Sequence, residues 1–441
     1  MSAGDRKLPA DGPRGETAGA CPSRRGFLKA AGGVAALAGA GLGGAGLGAA
    51  AARAGTGDAH ATSMRASEPF YGAHQAGIST PQQTHTYFTA LDLAAAKRDE
   101  LVATLKIWTE AAARMTKGET ARPMGSDTKI AAPDDGTALG LSPARLTLTF
   151  GFGPGLFQKD GKDRYGLAHL RPAALVDLPR FNGDQLVVTR TGGDLSIQAC
   201  ADDPQVAFHA VRELVRIAYG AAEMRWAQSG FLPGARKSDT PRNLMGFKDG
   251  TQQPASLEKA VWVGAEGPDW MRGGSYLVAR RIRMALEHWD RTDVDFQEQT
   301  MGRHKYSGAP LGMTHERDAL DLERTDKDGN PVIPDSAHVR LAAPATNGGA
   351  EILRRGYSYN DGVDFTAERW PPWRQGMEYD AGLLFLCYQK DPRTGFIKIF
   401  ERMSKLDMLN QFTTHVGGGI FACPGGVAPG RYIGQGLIES A

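Results

Sequence analysis

The order of apolar patterns along the chain predicts an α+β protein of two ferredoxin-like halves whose antiparallel sheets face each other. Three observations carry that expectation. First, 441 residues are too many for one ordinary core. Second, each half reads as strand, amphipathic helix and further strand, a β-α-β order. Third, an Asp-Pro step opens a helix just after a cysteine-bearing strand in both halves. It is Cys200-Ala201-Asp202-Asp203-Pro204 in one and Cys387-Tyr388-Gln389-Lys390-Asp391-Pro392 in the other.

The elements follow in order. Residues 84–93 alternate as a strand. Residues 98–115 predict a helix, with Leu101, Leu105, Trp108 and Ala112 spaced to share one face. Residues 116–142 are polar and rich in Gly and Pro, a loop. Residues 144–150, 183–188 and 194–200 predict three strands. Residues 205–218 predict a helix, with Pro204 suited to its first turn. The second half begins with a strand at 274–284, then one helix at 286–300, a buried strand at 380–389 and a helix at 394–404. A cavity is expected at the seam between the facing sheets.

Composition narrows the classes. The chain is 41% hydrophobic and 23% charged, which excludes fibrous, wholly disordered and multi-span membrane proteins. Its 51 basic and 49 acidic residues leave no positive field for nucleic acid. Cys21, Cys200, Cys387 and Cys423 form no C-x-x-C pair, so no zinc site or disulfide framework is signalled. Cys200 and Cys387 read as buried thiols.

The N-terminus reads as an address. Ser23-Arg24-Arg25-Gly26-Phe27-Leu28-Lys29 has the form of a twin-arginine export signal, followed by an uncharged Ala/Gly-rich run over 30–52 and Ala52-Arg53-Ala54 as a cleavage site. Export in the folded state points to a cofactor inserted before export. The chain therefore divides into a cleaved signal at 1–54, a flexible mature start at 55–76, a first half at 77–237, a connecting segment at 238–273 and a second half at 274–441.

Three segments carry chemistry. Gly246-Phe247-Lys248-Asp249-Gly250-Thr251 flanks a carboxylate with glycines that allow a tight turn and close backbone approach to a flat ligand. Ala337-His338-Val339-Arg340-Leu341 and Ile352-Leu353-Arg354-Arg355-Gly356-Tyr357 place an imidazole and paired arginines in apolar surroundings. No second histidine stands at metal-ligand spacing, so a zinc or non-haem iron site is not indicated. One axial histidine is enough for haem, because the porphyrin supplies four ligands. Gly151-Phe152-Gly153-Pro154-Gly155 lacks the lysine of a phosphate loop, and the glycine of Asp326-Lys327-Asp328-Gly329 is misplaced for a calcium loop.

With Gly302-Arg303-His304-Lys305-Tyr306-Ser307-Gly308-Ala309-Pro310-Leu311-Gly312 and Ile78-Ser79-Thr80-Pro81-Gln82-Gln83 added, the sequence resembles the dye-decolourising haem peroxidases. Within them it resembles the exported branch that includes deferrochelatase-like proteins. The likeness spans residues 77–428. It implies an α+β barrel fold with one haem b per chain held in the C-terminal half. It implies His338 as proximal iron ligand, with Asp249 and Arg354 as catalytic residues on the distal face. Gly250, Thr251 and Gln252 join them in binding the cofactor. The implied reaction is reduction of hydrogen peroxide through a ferryl state and one-electron oxidation of small organic donors such as dyes or phenols. The alternatives are release of iron from haem, or haem binding for iron uptake without turnover. A peroxide-generating oxidase and a second copy of the chain are the protein partners the likeness leaves room for. The membrane matters only for export, to the extracellular, cell-wall or periplasmic space. Trp370, Trp373, Tyr379 and Tyr388 are candidate surface sites for oxidising bulky donors. Two departures touch the haem edge: Ala343-Pro344-Ala345 where the branch often has Asn-Pro-Arg, and Thr251-Gln252-Gln253 where it often has Thr-Ala-Asn.

Overall fold

A computed structural model describes residues 64–233, 240–367 and 375–441. The export segment, Cys21, Trp370 and Trp373 lie outside the described residues.

In the first half, β1 (His85–Leu93), α1 (Arg98–Met115), β2 (Thr147–Phe152), β3 (Leu195–Ala201), α2 (Pro204–Ile217) and β4 (Ala222–Phe231) run in the βαββαβ order. The second half repeats it with β5 (Ser275–Met284), α3 (Val294–Met301), α4 (His338–Ala342), β6 (Leu353–Arg354), β7 (Tyr357–Ala367), β8 (Gln375–Gln389), α5 (Phe396–Leu406) and β9 (Thr413–Cys423). With the two-residue β6 set aside, each half has its first strand between its third and fourth strands: β2-β3-β1-β4 and β9-β5-β8-β7. This is the ferredoxin-like order in duplicate.

The two sheets join at both edges. β2 meets β9 at Phe152 and Ala422, and β4 meets β7 at Phe231 and Ser358. With β5 paired along both β8 and β9, the strands close into an antiparallel barrel. Its interior holds Phe88, Cys200, Trp226, Tyr357, Leu384, Leu386, Tyr388 and Phe421. The facing sheets are thus packed against each other, and the expected cavity at the seam is filled by side chains. Space opens instead on the outer, helix-bearing face of the second half.

Helix boundaries follow local chemistry. The Asp203 carboxylate caps α2 through the amides of Gln205 and Val206, with Pro204 in the first turn. The apolar face of α1 lies on the first sheet, where the Trp108 indole donates to the Leu214 carbonyl of α2 at 2.7 Å.

Three expectations change. Residues 286–300 form two helices, Leu286–Trp289 and Val294–Met301, because Asp293 caps the second through the Phe296 amide. Residues 183–188 form no strand; Gln185 and Val187 only donate to the His415 and Val416 carbonyls before a helical turn at Val188–Arg190. Strands β4, β7 and β9 were not among the elements expected. β9 contains Gly417-Gly418-Gly419, and Gly418 sits at φ +144° where an added Cβ would lie 2.1 Å from the Ala279 carbonyl oxygen. Close strand approach, not side-chain pattern, makes that strand. Cys200 and Cys387 are free and buried, as read from the sequence, and so is Cys423.

Candidate active site

A cavity of about 460 Å³ lies between the outer face of the second sheet, α4, α5 and the connecting segment. Its walls are largely apolar: Phe247, Met284, Leu383, Phe385, Phe400 and Met403. His338, Asp249, Gly250, Thr251, Gln252 and Arg354 all line it.

His338 opens α4, and its ring stands against α5. Its Nδ1 lies 2.7 Å from Oδ2 of Asp407, a carboxylate only 3% exposed. A carboxylate accepts only, so Nδ1 carries a proton, and in the neutral ring Nε2 keeps its lone pair for the cavity. Burial pulls the His338 pKa down, but the charge and hydrogen bond of Asp407 outweigh it and the net shift is upward. The other Asp407 oxygen accepts the Leu409 amide at 2.8 Å, which fixes the carboxylate in place. Only the fold identifies Asp407 as the carboxylate partner of this histidine.

On another wall, Arg354 Nη1 donates to Asp249 Oδ1 at 2.8 Å, and Nη2 donates to the Gln252 carbonyl at 3.2 Å. The Gln253 side chain clamps the Arg354 backbone from both sides, donating to its carbonyl at 2.8 Å and accepting its amide at 3.0 Å. Arg354 and Asp249 both act electrostatically on His338, so the acid–guanidinium pair and the imidazole share one cavity. Asp249 is carried by a turn in which its amide donates to the Pro241 carbonyl at 2.8 Å and Gly250 adopts φ +119°. The arginine pair straddles the sheet, as strand alternation requires. Arg354 faces the cavity. Arg355 is buried and donates to the Thr80 carbonyl and the Gln83 side chain.

The family follows from this frame. Residues 75–232 match the profile described as Dyp-type peroxidase, N-terminal, and residues 240–428 match Dyp-type peroxidase, C-terminal. The chain belongs to the Dyp-type peroxidase family. It is 41% identical to the dye-decolorizing peroxidase of Thermobifida fusca, covering 95% of this chain and 97% of that one. It is 36% identical to a deferrochelatase of Escherichia coli O157:H7, again over 95% and 97% of the two chains. The DyP-type peroxidase of Streptomyces coelicolor superposes with a TM-score of 0.77 at 42% identity, covering 86% of this chain and 98% of that one. Ferric DtpA of Streptomyces lividans gives 0.76 at 42% identity over 86% and 99%.

Four site features of this peroxidase had no sequence signal: Asp407, the Gln253 clamp, Glu316 and His415. Glu316 binds the loop that carries Asp249. His415, on β9, lines the cavity with its Nδ1 3.0 Å from Arg280 Nε, while Arg280 pairs with Asp184. Burial first, and then the Arg280 charge, hold the His415 pKa well below the usual histidine value, so the ring is neutral. Of the surface-oxidation candidates, Tyr379 is half exposed, but Tyr388 lies wholly inside the barrel and cannot meet a bulky donor.

Proposed function

We propose that the chain is an exported haem peroxidase that reduces hydrogen peroxide and oxidises small organic donors such as dyes or phenols. The observation that carries this reading is one apolar cavity lined both by an imidazole backed by Asp407 and by the Asp249–Arg354 pair. The cavity volume is within the usual span of small-molecule sites, roughly 300–1,000 Å³. Its apolar walls suit a porphyrin, and a histidine with Nδ1 engaged would hold the porphyrin's iron through Nε2. One haem b per chain, held by His338 with Gly250, Thr251 and Gln252 near its edge, fits these residues. Bound haem supplies the oxidising chemistry once peroxide meets it.

The protein residues supply the rest. Asp407 holds His338 in one tautomer and strengthens it as a donor. Asp249 can take a proton from one peroxide oxygen and return it to the other. Arg354 keeps its charge, so it stabilises negative charge developing on the departing oxygen rather than acting as a base. The apolar walls exclude water, which strengthens both effects.

Release of iron from haem is a second reading, supported by likeness to the E. coli deferrochelatase; a haem-binding uptake role without turnover is a third. Purified protein loaded with hemin and given stoichiometric peroxide separates them. Peroxidase action changes the Soret spectrum and oxidises a dye. Iron release yields metal-free porphyrin. A protein that remains colourless with hemin ends all three. Export by the twin-arginine route, a peroxide-generating oxidase as partner and a second copy of the chain as an oligomeric partner belong to the same proposal. The sequence signal supports the first of these.

A further inference from the structure

Among the described residues, the Asp249 carboxylate has one hydrogen-bonded side-chain partner, Arg354. The aim of its carboxylate therefore depends on the backbone that carries it. That backbone is tied down from one side by Glu316, which lies on the loop between α3 and α4 and belongs to no recognised motif. Glu316 Oε2 accepts Lys248 Nζ at 2.5 Å, and Oε1 accepts the Thr251 hydroxyl at 3.0 Å. The Thr240 hydroxyl also donates to Oε1. These three donors bracket Asp249 on both sides in sequence. Glu316 is itself anchored, because Arg303 Nη1 donates to its carbonyl at 3.0 Å and to the Gly308 carbonyl at 2.7 Å. Burial pushes the Glu316 carboxyl up, but Lys248, Thr240 and Thr251 together bring it down to about 2. It is thus a fixed negative charge over the working range.

The arrangement has an electrostatic consequence. Lys248 is the immediate neighbour of Asp249, and its ammonium is neutralised by Glu316. Without Glu316, that cation would favour the ionised Asp249 and compete with Arg354 for it. We propose that Glu316 is a positioning residue for the distal acid, fixing the loop that carries Asp249 and withholding the Lys248 charge from its carboxylate. This rests on the reading of Asp249 as the proton carrier. Among the described residues, the other charged groups around this loop are Arg354 from β6, His338 from α4, Arg242, which donates to the Gly246 carbonyl, Lys305, which lies over the Phe247 ring, and, through Glu316 and Arg354, Arg303 after α3.

The test uses the haem-loaded full chain. The rate of reaction with peroxide and the affinity for cyanide, which binds as the anion after giving up its proton, are each followed across the acid range. D249N is expected to abolish the acid limb of both profiles. E316Q keeps an acceptor for the threonines but removes the charge, and is expected to move the limb to lower pH by roughly half to one unit. K248M leaves Glu316 unneutralised and is expected to move it the opposite way, and the double variant is expected to return it close to the parent. Opposite shifts cannot come from a loosened loop, and K248M tests the idea even where E316Q fails to load haem. A limb that persists in D249N refutes the reading of Asp249 and this proposal with it. A limb lost in D249N, but unmoved or moved the same way in E316Q and K248M, overturns the proposal alone.

Discussion

Asp407→Asn probes how a buried carboxylate sets the chemistry of His338. The change is nearly isosteric, yet both orientations of the amide fail. If its oxygen still accepts the Leu409 amide, as Oδ1 does now at 2.8 Å, its NH₂ faces His338 Nδ1. The ring must then accept at Nδ1 and carry its proton on Nε2, where a metal needs the lone pair. If the amide flips, its NH₂ meets the Leu409 N–H and that cap is lost. A hydrogen bond to a charged group contributes about 1.5–3 kcal/mol, and loss of a carboxylate behind a ligating histidine typically costs about 10–100-fold in affinity. At about 1.4 kcal/mol per decade the two figures agree. Apo protein titrated with hemin, read at the Soret band, should therefore show a Kd weakened about 10- to 100-fold. The thermal transition of the apo form should change by much less than that of the haem-loaded form. An unchanged Kd with an unchanged spectrum would refute the role given to Asp407.

Other outcomes follow from the same geometry. Asp249→Ala and Arg354→Leu should retain haem while slowing the reaction with peroxide by about 10²- to 10⁴-fold, measured by stopped flow; parent rates in both would remove the distal assignment. His338→Ala should lose most haem, and a fully loaded variant with the parent spectrum would exclude this ligand. Trp108→Ala empties a fully packed site between α1 and α2 and should cost about 3–5 kcal/mol, read as a lower urea midpoint. Glu316 titrates at about 2 in the folded protein against an ordinary value of 4.5. The folded state thus binds fewer protons between those values, and stability falls as pH drops through that window. Glu316→Gln removes this component, so parent and variant should differ most near neutral pH and converge in strong acid; a difference that stays constant with pH would contradict it.

Much of the site was legible because its signals are local. Asp249 sits between glycines in one turn, His338 opens one short helix, and Arg354 ends one strand run. Each belongs to a short motif that carries the resemblance to the family. For α1, α2 and the strands that alternate cleanly, the local signal is the period of their apolar residues. The helix assigned to 286–300 went wrong because apolar spacing continued across Asp293, a capping residue whose side chain closes a new first turn. Strand β9 was missed because its glycines serve close backbone approach and leave no apolar pattern. The seam was expected to be hollow because facing sheets can enclose space; the large residues Trp226, Tyr357, Tyr388 and Phe421 fill it instead.

By itself, then, the chain's order of residues determined two repeated α+β halves, through helix and strand period. Its resemblance to the Dyp-type family pointed to His338, Asp249 and Arg354 as the residues of the proposed site. The tertiary structure alone decided that the halves close one barrel, that the cavity lies outside it, and which carboxylates serve the site. Asp407 reaches His338 across 69 positions of sequence, and Glu316 reaches Lys248 across 68. No periodicity links residues so far apart; only packing against shared neighbours brings their charges within bonding distance.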